Sequence, residues 1–365
     1  GHAPAAPAKG STATKPSEPE VPGQDEVGHY QVVPGKMIDT TQPFPKGRYK
    51  VVKLLGSGTY GKVVLCQDTK YNGAHVAVKL VRNTPHLYRL AAQNEIKILR
   101  DLDGRNCTVK ILRDFEFQGH VSMTFELLGD SLSGLIEREA KPLSLNHIRD
   151  VTMQLLQSLT YVHSKRIIHS DVKSDNVLLV GENIVGGSMM IKLVDFGSAL
   201  YSSAWHPPLV GTMHYRAPEA VLQAGWSFPV DVWAVGCIVV ELAIGKQLFE
   251  LSHDDVHLAM MEAVLGPIPA VLLKKGMQNM NQYNRRLLVK NSRGAVCLAP
   301  CRADGVPKVN ALRRLKEYFT DPLLLDLTRK LLEYDPAHRI TARDALNHPF
   351  FHVLPENPNG QKSPP

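Results

Sequence analysis

Hydrophobic positions follow two different periods along the chain. Between residues 48 and 129, β-branched and aliphatic residues form short runs such as HVAVKLV, VKILRDFEFQ and HVSMTFELLG, broken by glycine-containing turns. These runs predict antiparallel strands. Among them, YRLAAQNEIKILRDL carries apolar residues at three- and four-residue steps, which predicts one helix.

After residue 130 the helical period dominates. In LNHIRDVTMQLLQSLTYVHSKR apolar residues recur at three- and four-residue steps, and Ser144 precedes them as a candidate helix cap. The apolar run VDVWAVGCIVVELAIG contains Asp231 and Glu241 and is too short to span a bilayer. It predicts a buried helix, and we expect no membrane partner. Shorter helices are predicted within residues 319–334 and 341–346, and Thr341 opens the second with Asp344 in capping-box spacing.

Both ends of the chain lack such periods. Residues 1–47 are rich in Pro, Ala, Gly, Ser and Thr, and residues 353–365 are rich in Pro, Asn and Gly. We predict two flexible tails around a folded region spanning residues 48–352. The start of the sequence lacks the charged, apolar and small-residue succession of a signal peptide, so an intracellular location is expected.

Composition adds one feature that the pattern does not show. The chain is 44% hydrophobic and carries a formal net charge of +7, enough apolar residues for two compact lobes. Residues 271–320 alone contain eleven basic and two acidic side chains. This basic insert, about residues 271–316, could bind nucleic acid, phosphorylated partners or acidic peptides. The simpler interpretation, a solvated face, is favoured because no row of aromatic residues accompanies the charges.

Cysteine usage indicates no special chemistry. The five cysteines are scattered, and the pair Cys297 and Cys301 has no second Cys or His pair nearby. A disulfide framework or a zinc site is therefore not predicted.

The glycine-rich turn is the first candidate for ligand binding. Gly56, Gly58 and Gly61 precede Val63 in the pattern G-x-G-x-x-G-x-V. Glycines let backbone N–H groups approach phosphate oxygens without obstruction from a Cβ atom. Dinucleotide-binding folds share these glycines, but there a helix follows, whereas here a strand follows.

A buried cation and a nearby carboxylate come next. Lys79 is the only charged residue in the apolar run from Val76 to Val81, and an unpaired charge on a buried strand would be costly. We predict that Glu95, on the following helix, pairs with it. The alternative is an ordinary surface glutamate.

Most of the remaining candidate catalytic residues lie on one short loop. In IIHSDVKSDN, Asp171, Lys173 and Asn176 follow His169, and a D-F-G triplet places Asp195 further along the chain. Phosphoryl transfer requires a carboxylate near the incoming hydroxyl, a cation for the moving phosphate and oxygen ligands for Mg²⁺. Asp171, Lys173 and the pair Asn176 and Asp195 supply these groups respectively.

Taken together, residues 48–352 resemble a eukaryotic protein kinase. The triplet at residues 217–219 and Arg339 in DPAHR complete the match. The resemblance implies an α+β bilobal protein kinase fold, with a small β-rich lobe containing one long helix (about residues 48–125), a hinge (about 126–129) and a larger helical lobe (about 130–352). It also implies that Glu219 pairs with Arg339, and that Asp231 braces the catalytic loop.

The same resemblance implies residues that contact ATP. Lys79 would hold its phosphates, the backbone of Glu126 and Leu128 would bind adenine, and Phe125 would limit the back of the pocket. The full set of implied nucleotide contacts is Leu55, Gly56, Ser57, Gly58, Thr59, Tyr60, Gly61, Lys62, Val63, Ala77, Lys79, Phe125, Glu126, Leu128 and Leu178.

Several residues resemble one kinase group in particular. Lys173 and Thr212 are typical of serine/threonine kinases, and Arg216 is typical of the branch holding cyclin-dependent, MAP and CDC-like kinases. The stretch VHLAMMEAVLGPIP resembles the signature of the CDC-like, or LAMMER, kinases. It departs from that family at Val256 and Ala263, usually glutamate and arginine, which implies a divergent lineage similar to the kinetochore-associated CDC-like kinases of kinetoplastid protozoa.

One departure concerns regulation. Ser170 stands before Asp171, where most kinases have an arginine that binds a phosphorylated activation loop. We hypothesise that activity does not strictly depend on a phosphate at that position.

The resemblance extends to partners and location. It implies protein substrates rich in Arg and Ser, a nuclear location and possible dual specificity, whereas the basic insert by charge alone does not favour a basic substrate. The alternative function is a catalytically weak kinase-fold scaffold that docks nucleic acid or acidic partners through the insert. Such a scaffold predicts loss of Lys79, Asp171, Asn176 or Asp195, and all four are present.

Overall fold

The computed structural model describes residues 28–181, 188–250, 253–279, 281 and 284–352. Over these residues the chain forms a small amino-terminal lobe built on a β-sheet and a larger carboxy-terminal lobe built mainly of helices. This arrangement agrees with the predicted α+β bilobal fold. The tail predicted for residues 353–365, and residues 1–27 of the predicted amino-terminal tail, lie outside the described residues.

The amino-terminal lobe contains a six-stranded antiparallel sheet with the order β1-β2-β3-β4-β6-β5. Its strands are β1 (Met37–Ile38), β2 (Tyr49–Gly58), β3 (Gly61–Asp68), β4 (Ala74–Val81), β5 (Ile111–Phe117) and β6 (His120–Glu126). The long helix α1 (Leu87–Leu102) follows β4 and covers one face of the sheet. The strands predicted on either side of the glycine-rich turn and of Gly119 are confirmed.

Successive side chains of β4 point alternately into a hydrophobic core and toward the candidate site. Val76, Val78 and Leu80 are buried in one core. Because successive strand residues point to opposite faces, Ala77 and Lys79 lie on the other face. That face is turned toward α1, whose Glu95 meets Lys79.

The amino-terminal segment differs from the predicted flexible tail. Within residues 28–47, strand β1 pairs with β2, and both Tyr30 and Ile38 are fully buried. The Tyr30 ring packs edge-on against Phe117, and the Lys62 ammonium donates to the Tyr30 carbonyl at 3.1 Å. The ordered lobe therefore begins before residue 48. Composition misled the prediction because a few well-placed apolar residues suffice to close the outer face of the sheet.

The carboxy-terminal lobe is organised around one apolar helix. Its helices are α2 (Leu132–Glu139), α3 (Leu145–Ser164), α4 (Pro218–Val221), α5 (Pro229–Ile244), α6 (Asp254–Leu265), α7 (Ala270–Gln278), α8 (Val306–Asn310), α9 (Pro322–Leu331) and α10 (Ala342–Ala345). Helix α5 is buried on all sides and packs against α3 and α9, which confirms the prediction of a buried helix. No helix in the described part of the chain combines the length and apolar character needed to cross a membrane.

Two helix caps were predicted from the sequence and are present. The Ser144 hydroxyl accepts a hydrogen bond from the His147 backbone N–H at 3.2 Å, at the start of α3. The Thr341 hydroxyl accepts from the Asp344 N–H at 3.1 Å, at the start of α10. Each satisfies a backbone donor that the helix itself leaves unpaired.

Short antiparallel strand pairs complete the fold. They are β7 (Ile167–Ile168) with β10 (Leu200–Tyr201), β8 (Val177–Leu179) with β9 (Ile191–Leu193), and β11 (Leu288–Lys290) with β12 (Val296–Leu298). The first two pairs position the loops of the candidate site. The third lies in the basic insert, which packs on α4 and α6 through Gly276 and Gly305.

Two hydrophobic cores hold the lobes. A small core on the outer face of the sheet contains Tyr30, Ile38 and Phe115 among its buried residues. A larger core joins the α1 face of the sheet to the helices of the carboxy-terminal lobe. The five cysteines are free thiols.

Candidate active site

The loop between β7 and β8 is held from beneath by a buried carboxylate. Asp231, at the start of α5, is 1% exposed and accepts hydrogen bonds from the backbone N–H of His169 at 2.9 Å and of Ser170 at 2.8 Å. His163 Nε2 lies 2.9 Å from the same carboxylate. This is the bracing contact that the resemblance implied for Asp231. It fixes the backbone immediately before Asp171.

The Asp171 carboxylate lies among three polar neighbours. Its Oδ1 accepts from the Thr212 hydroxyl at 2.6 Å and from the Thr212 N–H at 3.0 Å. Its Oδ2 lies 3.0 Å from the Lys173 ammonium, which also donates to the Thr212 hydroxyl at 3.0 Å. Asn176 Nδ2 donates to the Asp171 carbonyl at 2.9 Å. The structure thus brings together Asp171, Lys173 and Asn176, as predicted.

A second ionic group lies in the cleft between the lobes. The Lys79 ammonium contacts Glu95 Oε1 at 2.8 Å, Glu95 Oε2 at 3.0 Å and Asp195 Oδ1 at 2.9 Å. Glu95 is 3% exposed, so the alternative of a surface glutamate is wrong. The pairing connects β4, α1 and the loop after β9.

The electrostatics favour the charged forms of Lys79 and Asp195, whereas burial raises the pKa of Glu95. Burial disfavours the Lys79 ammonium, but the carboxylates of Glu95 and Asp195 outweigh it and raise the Lys79 pKa. The nearby Lys79 charge lowers the pKa of Asp195 to about 2. Asp195 therefore remains ionised at neutral pH and can offer oxygen ligands to a cation.

The glycine-rich turn is a tight hairpin. Gly56 pairs with Val63, Ser57 with Lys62 and Gly58 with Gly61, which leaves Thr59 and Tyr60 at the tip. A Cβ atom on Gly56 or Gly58 would meet nothing within 4 Å, whereas one on Gly61 would lie 2.3 Å from the Leu80 carbonyl oxygen. Gly61 is thus required for strand packing, and the first two glycines leave open space beneath the turn.

The other predicted nucleotide contacts lie on the strands and hinge around this cleft. Ala77 on β4 pairs with Phe125 on β6, and Glu126 ends β6. The Glu126 carboxylate forms an ion pair with Lys192, which anchors the hinge to β9. Leu128 follows on the connection, and Leu178 on β8 forms a bridge with Ser131.

Two predicted contacts have side chains engaged elsewhere. The Lys62 ammonium donates to the Tyr30 carbonyl, and the exposed Tyr60 ring packs edge-on against Tyr88 at 5.9 Å. Both side chains are therefore in contact with other residues of the amino-terminal lobe. Leu55, also predicted, is exposed on β2 before the turn.

Ser170 contacts the segment that follows the D-F-G triplet. It adopts φ 65°, a left-handed conformation, and its hydroxyl donates to the Ser198 carbonyl at 2.7 Å. Arg216, proposed above as typical of one kinase branch, donates to the Gly211 carbonyl at 2.8 Å and pairs with Asp254 at 3.3 Å. Internal contacts, one of them the ion pair of Arg216 with Asp254, thus hold this segment.

Sequence reasoning missed a buried network beneath the loop. Glu241 on α5 accepts from the Tyr215 hydroxyl at 2.7 Å and from the Ser174 hydroxyl at 3.0 Å. Burial raises the pKa of Glu241 to about 7. The signal was available, because Glu241 interrupts an otherwise apolar helix. The contact of Thr212 with Asp171 was also missed.

A fully buried ion pair lies at the end of the segment that follows the D-F-G triplet. Arg339 contacts Glu219 at 2.7 Å and 2.9 Å, and both side chains are completely buried. This is the pairing that the resemblance implied. It fixes α4 against the end of the lobe and so positions the residues after Thr212.

Comparisons with known proteins agree with this geometry. A family model described as the protein kinase domain matches residues 49–351. Dual specificity protein kinase CLK4 of Mus musculus is 38% identical over 90% of this chain and 70% of its own length, and human CLK1 is similar to the same extent. Serine/threonine-protein kinase AFC1 of Arabidopsis thaliana is 36% identical over 92% of this chain and 77% of its own length.

Solved structures show the same fold. A crystal structure of a kinase domain superposes with a TM-score of 0.78 at 28% identity, covering 90% of this chain and 100% of the other.

Proposed function

The chain belongs to the protein kinase family and, within it, to the CDC-like, or LAMMER, kinases, and from this premise we propose how its residues divide the work of phosphoryl transfer. It is a serine/threonine or dual-specificity protein kinase, which as a family requires ATP and a divalent metal. The contact of Asp171 with Lys173 and Thr212 is the observation that carries the proposed roles.

Asp171 and Lys173 act on the acceptor hydroxyl. We assign Asp171 to orient the incoming hydroxyl and accept its proton, and Lys173 to neutralise negative charge between that hydroxyl and the transferred group. The Thr212 hydroxyl, 2.6 Å from Asp171 and 3.0 Å from Lys173, holds both side chains in place. Their geometry is thus fixed before a substrate arrives, which reduces the reorganisation needed for transfer.

The nucleotide fits the cleft lined by the predicted contacts. Gly56 and Gly58 have open space where a Cβ atom would stand, so phosphate oxygens can approach the backbone there. Lys79, held by Glu95, is the cation for those phosphates, and the backbone of Glu126 and Leu128 offers partners for adenine. When bound, ATP supplies the phosphoryl group that is transferred.

Asn176 and Asp195 are the proposed Mg²⁺ ligands. In the described residues no three His, Cys, Asp or Glu side chains form a metal cluster. Mg²⁺ usually needs only one or two protein ligands besides phosphate oxygens and water. The Asn176 amide nitrogen is used by Asp171, so its oxygen remains for the metal. When bound, Mg²⁺ supplies positive charge to the phosphates.

Basic, Arg- and Ser-rich protein segments are the proposed substrates. Support comes from the carboxylate of Asp175, which lies between Lys173 and Asn176, and from the exposed Asp130 after the hinge, which also contacts Arg138. Complementary charge favours arginine next to the acceptor serine. The basic insert lies on α4 and α6, so it need not oppose such a substrate. Phosphorylation of arrayed arginine-rich, proline-directed and acidic peptides would distinguish the classes.

A nuclear location and association with kinetochores are further proposals. They rest on the resemblance to CDC-like kinases alone. Imaging of the tagged protein through the cell cycle tests both.

The catalytic proposal is tested by one isosteric change. Asp171→Asn should lower ATP-dependent phosphorylation of a peptide library by about 10²–10⁴-fold, because the amide cannot accept the proton. Asp103→Asn, at an exposed carboxylate that ends α1, is the matched control and should retain full activity. Equal activity of Asp171→Asn and the parent chain would refute the assigned role and support the scaffold alternative.

A further inference from the structure

A cleft on the carboxy-terminal lobe, away from the candidate active site, combines an apolar floor with a basic rim. It has a volume of about 510 Å³ and lies between the end of α6, residues 314–316 and the end of α9. Leu265 contributes a partly exposed apolar side chain, and the side chains of Val264 and Leu332 line the cleft but are almost fully buried. Arg314, Lys316 and Arg329 contribute the cations. The volume is within the range of roughly 300–1,000 Å³ that is usual for ligand-binding clefts.

The residues that the structure describes leave the charge of the three cations largely uncompensated. Arg314 donates to the backbone carbonyl of Glu262 at 2.9 Å. Among the described residues, none of Arg314, Lys316 and Arg329 forms an ion pair with a carboxylate. Glu333 is the one acid that lines the cleft, and it accepts a hydrogen bond from the Asp335 N–H at 3.1 Å. The cleft therefore carries net positive charge over an apolar floor.

We propose that this cleft binds an acidic peptide segment of a protein partner, with one bulky aliphatic side chain against the floor and carboxylates at the rim. The mixture of surfaces favours a peptide over nucleic acid. Single-stranded nucleic acid is typically held by stacking on exposed aromatic rings, and the one aromatic residue of the cleft, Tyr334, is 7% exposed. Phosphate binding alone would leave the partly exposed Leu265 side chain without an apolar partner.

Helix α6 runs from the cleft to the segment of residues 211–216, whose Thr212 contacts Asp171. Leu265 lies at the end of α6, and Asp254 at its start pairs with Arg216 beside Gly211. At about 1.5 Å per residue, such a helix separates its two ends by roughly 16 Å. A partner docked in the cleft could therefore bring a linked segment to the catalytic loop and raise its local concentration. This step rests on the kinase activity proposed above, whereas the binding itself does not.

Binding is tested with a fluorescein-labelled peptide that has one central Leu flanked by Asp and Glu. The double variant Lys316→Glu, Arg329→Glu should weaken its binding by about ten-fold or more, because both rim charges become repulsive. The matched control is Lys290→Glu, Arg293→Glu, which makes the same change of charge at exposed positions of the insert outside the cleft. It should change the affinity by less than about three-fold.

Other results would overturn the proposal. The first is that the parent chain does not bind the peptide at low salt, and the second is that both double variants weaken peptide binding equally. The third is that an oligothymidylate binds more tightly than the peptide and that Lys316→Glu, Arg329→Glu abolishes its binding. Phosphorylation of a short peptide without the acidic segment should be unchanged in both double variants. Loss of that activity in the parent chain would instead refute the proposed function, so the two failures can be told apart.

Discussion

Glu241 is a titratable residue in the network that connects α5 to the catalytic loop and to Tyr215. Burial raises its pKa to about 7 from an ordinary value of 4.5, although the hydrogen bonds from Tyr215 and Ser174 oppose the rise. Between these two pH values the folded protein holds a proton that the unfolded chain releases. Its stabilising contribution is thus fully present below about pH 4.5 and is lost as the pH rises through about 7.

Comparison with Glu241→Gln isolates this titration. The free energy of unfolding of the parent chain, relative to that of the variant, should fall by about 1–3 kcal/mol between roughly pH 5 and pH 8. Urea unfolding at each pH measures it. Glu317→Gln, an exposed carboxylate, should show no such trend. A difference between parent and Glu241→Gln that stays constant or grows with pH would show that Glu241 is not protonated when folded.

Ser170 bears on whether activity needs a phosphate. Its hydroxyl holds the Ser198 carbonyl, and Arg216 is engaged by Gly211 and Asp254. Ser170 is neutral and the charge of Arg216 is paired with Asp254, so neither residue needs a phosphate as a partner. Phosphatase-treated protein should therefore keep its activity within about three-fold. Mass spectrometry should confirm removal of the phosphate before the peptide assay. Complete loss of activity after treatment would contradict the hypothesis.

Helix α6 explains one departure from the family signature. Val256, where CDC-like kinases usually have glutamate, is 2% exposed and lies against Gly305 of the basic insert. A Cβ atom on Gly305 would lie 2.4 Å from Val256 Cγ2, although the Gly305 φ of −84° suits any residue. The aliphatic side chain and the glycine are therefore matched, and a glutamate would bury its charge there.

A double-mutant cycle tests this match. Gly305→Ala should lower the free energy of unfolding by about 1–3 kcal/mol through overpacking, and Val256→Ala should lower it by about 1–3 kcal/mol through lost apolar contact. The double variant should lose less than the sum of the two, because the smaller side chain makes room for the added methyl group. Urea unfolding measures all three. Strict additivity would mean that the two residues do not pack together.

The sequence predicted elements better than the contacts between them. The strands around the glycine-rich turn, the caps at Ser144 and Thr341, and the buried helix α5 follow from local periods and capping chemistry. The packing of Val256 on Gly305 could not be predicted, because it joins residues that no local pattern relates. The pairing of Lys79 with Glu95 was predictable because a buried charge needs a partner.

At the scale of the whole molecule, the smaller core depends on a segment that composition alone assigned to a tail. Tyr30 and Ile38 contribute fully buried side chains to the outer face of the sheet, and Arg113 pairs with the buried Asp39 at 2.7 Å. Each such apolar side chain contributes roughly 1.5–3 kcal/mol when buried. Without the segment, Phe117 and its neighbours would face water. The candidate site would be affected, because Lys79 lies on the strand that carries this core.

A chain that begins at residue 48 should therefore be less stable than one that begins at residue 28. We expect an apparent Tm lower by about 5–15 °C, with weaker nucleotide-dependent activity at the higher temperatures. Tyr30→Ala in the full chain should reproduce about half of the loss, since it removes one of the two largest buried side chains of the segment. Differential scanning fluorimetry measures all four proteins. Equal Tm values for the chains starting at 28 and 48 would show that residues 28–47 add no stability. The predicted end of the flexible tail at residue 47 would then be correct.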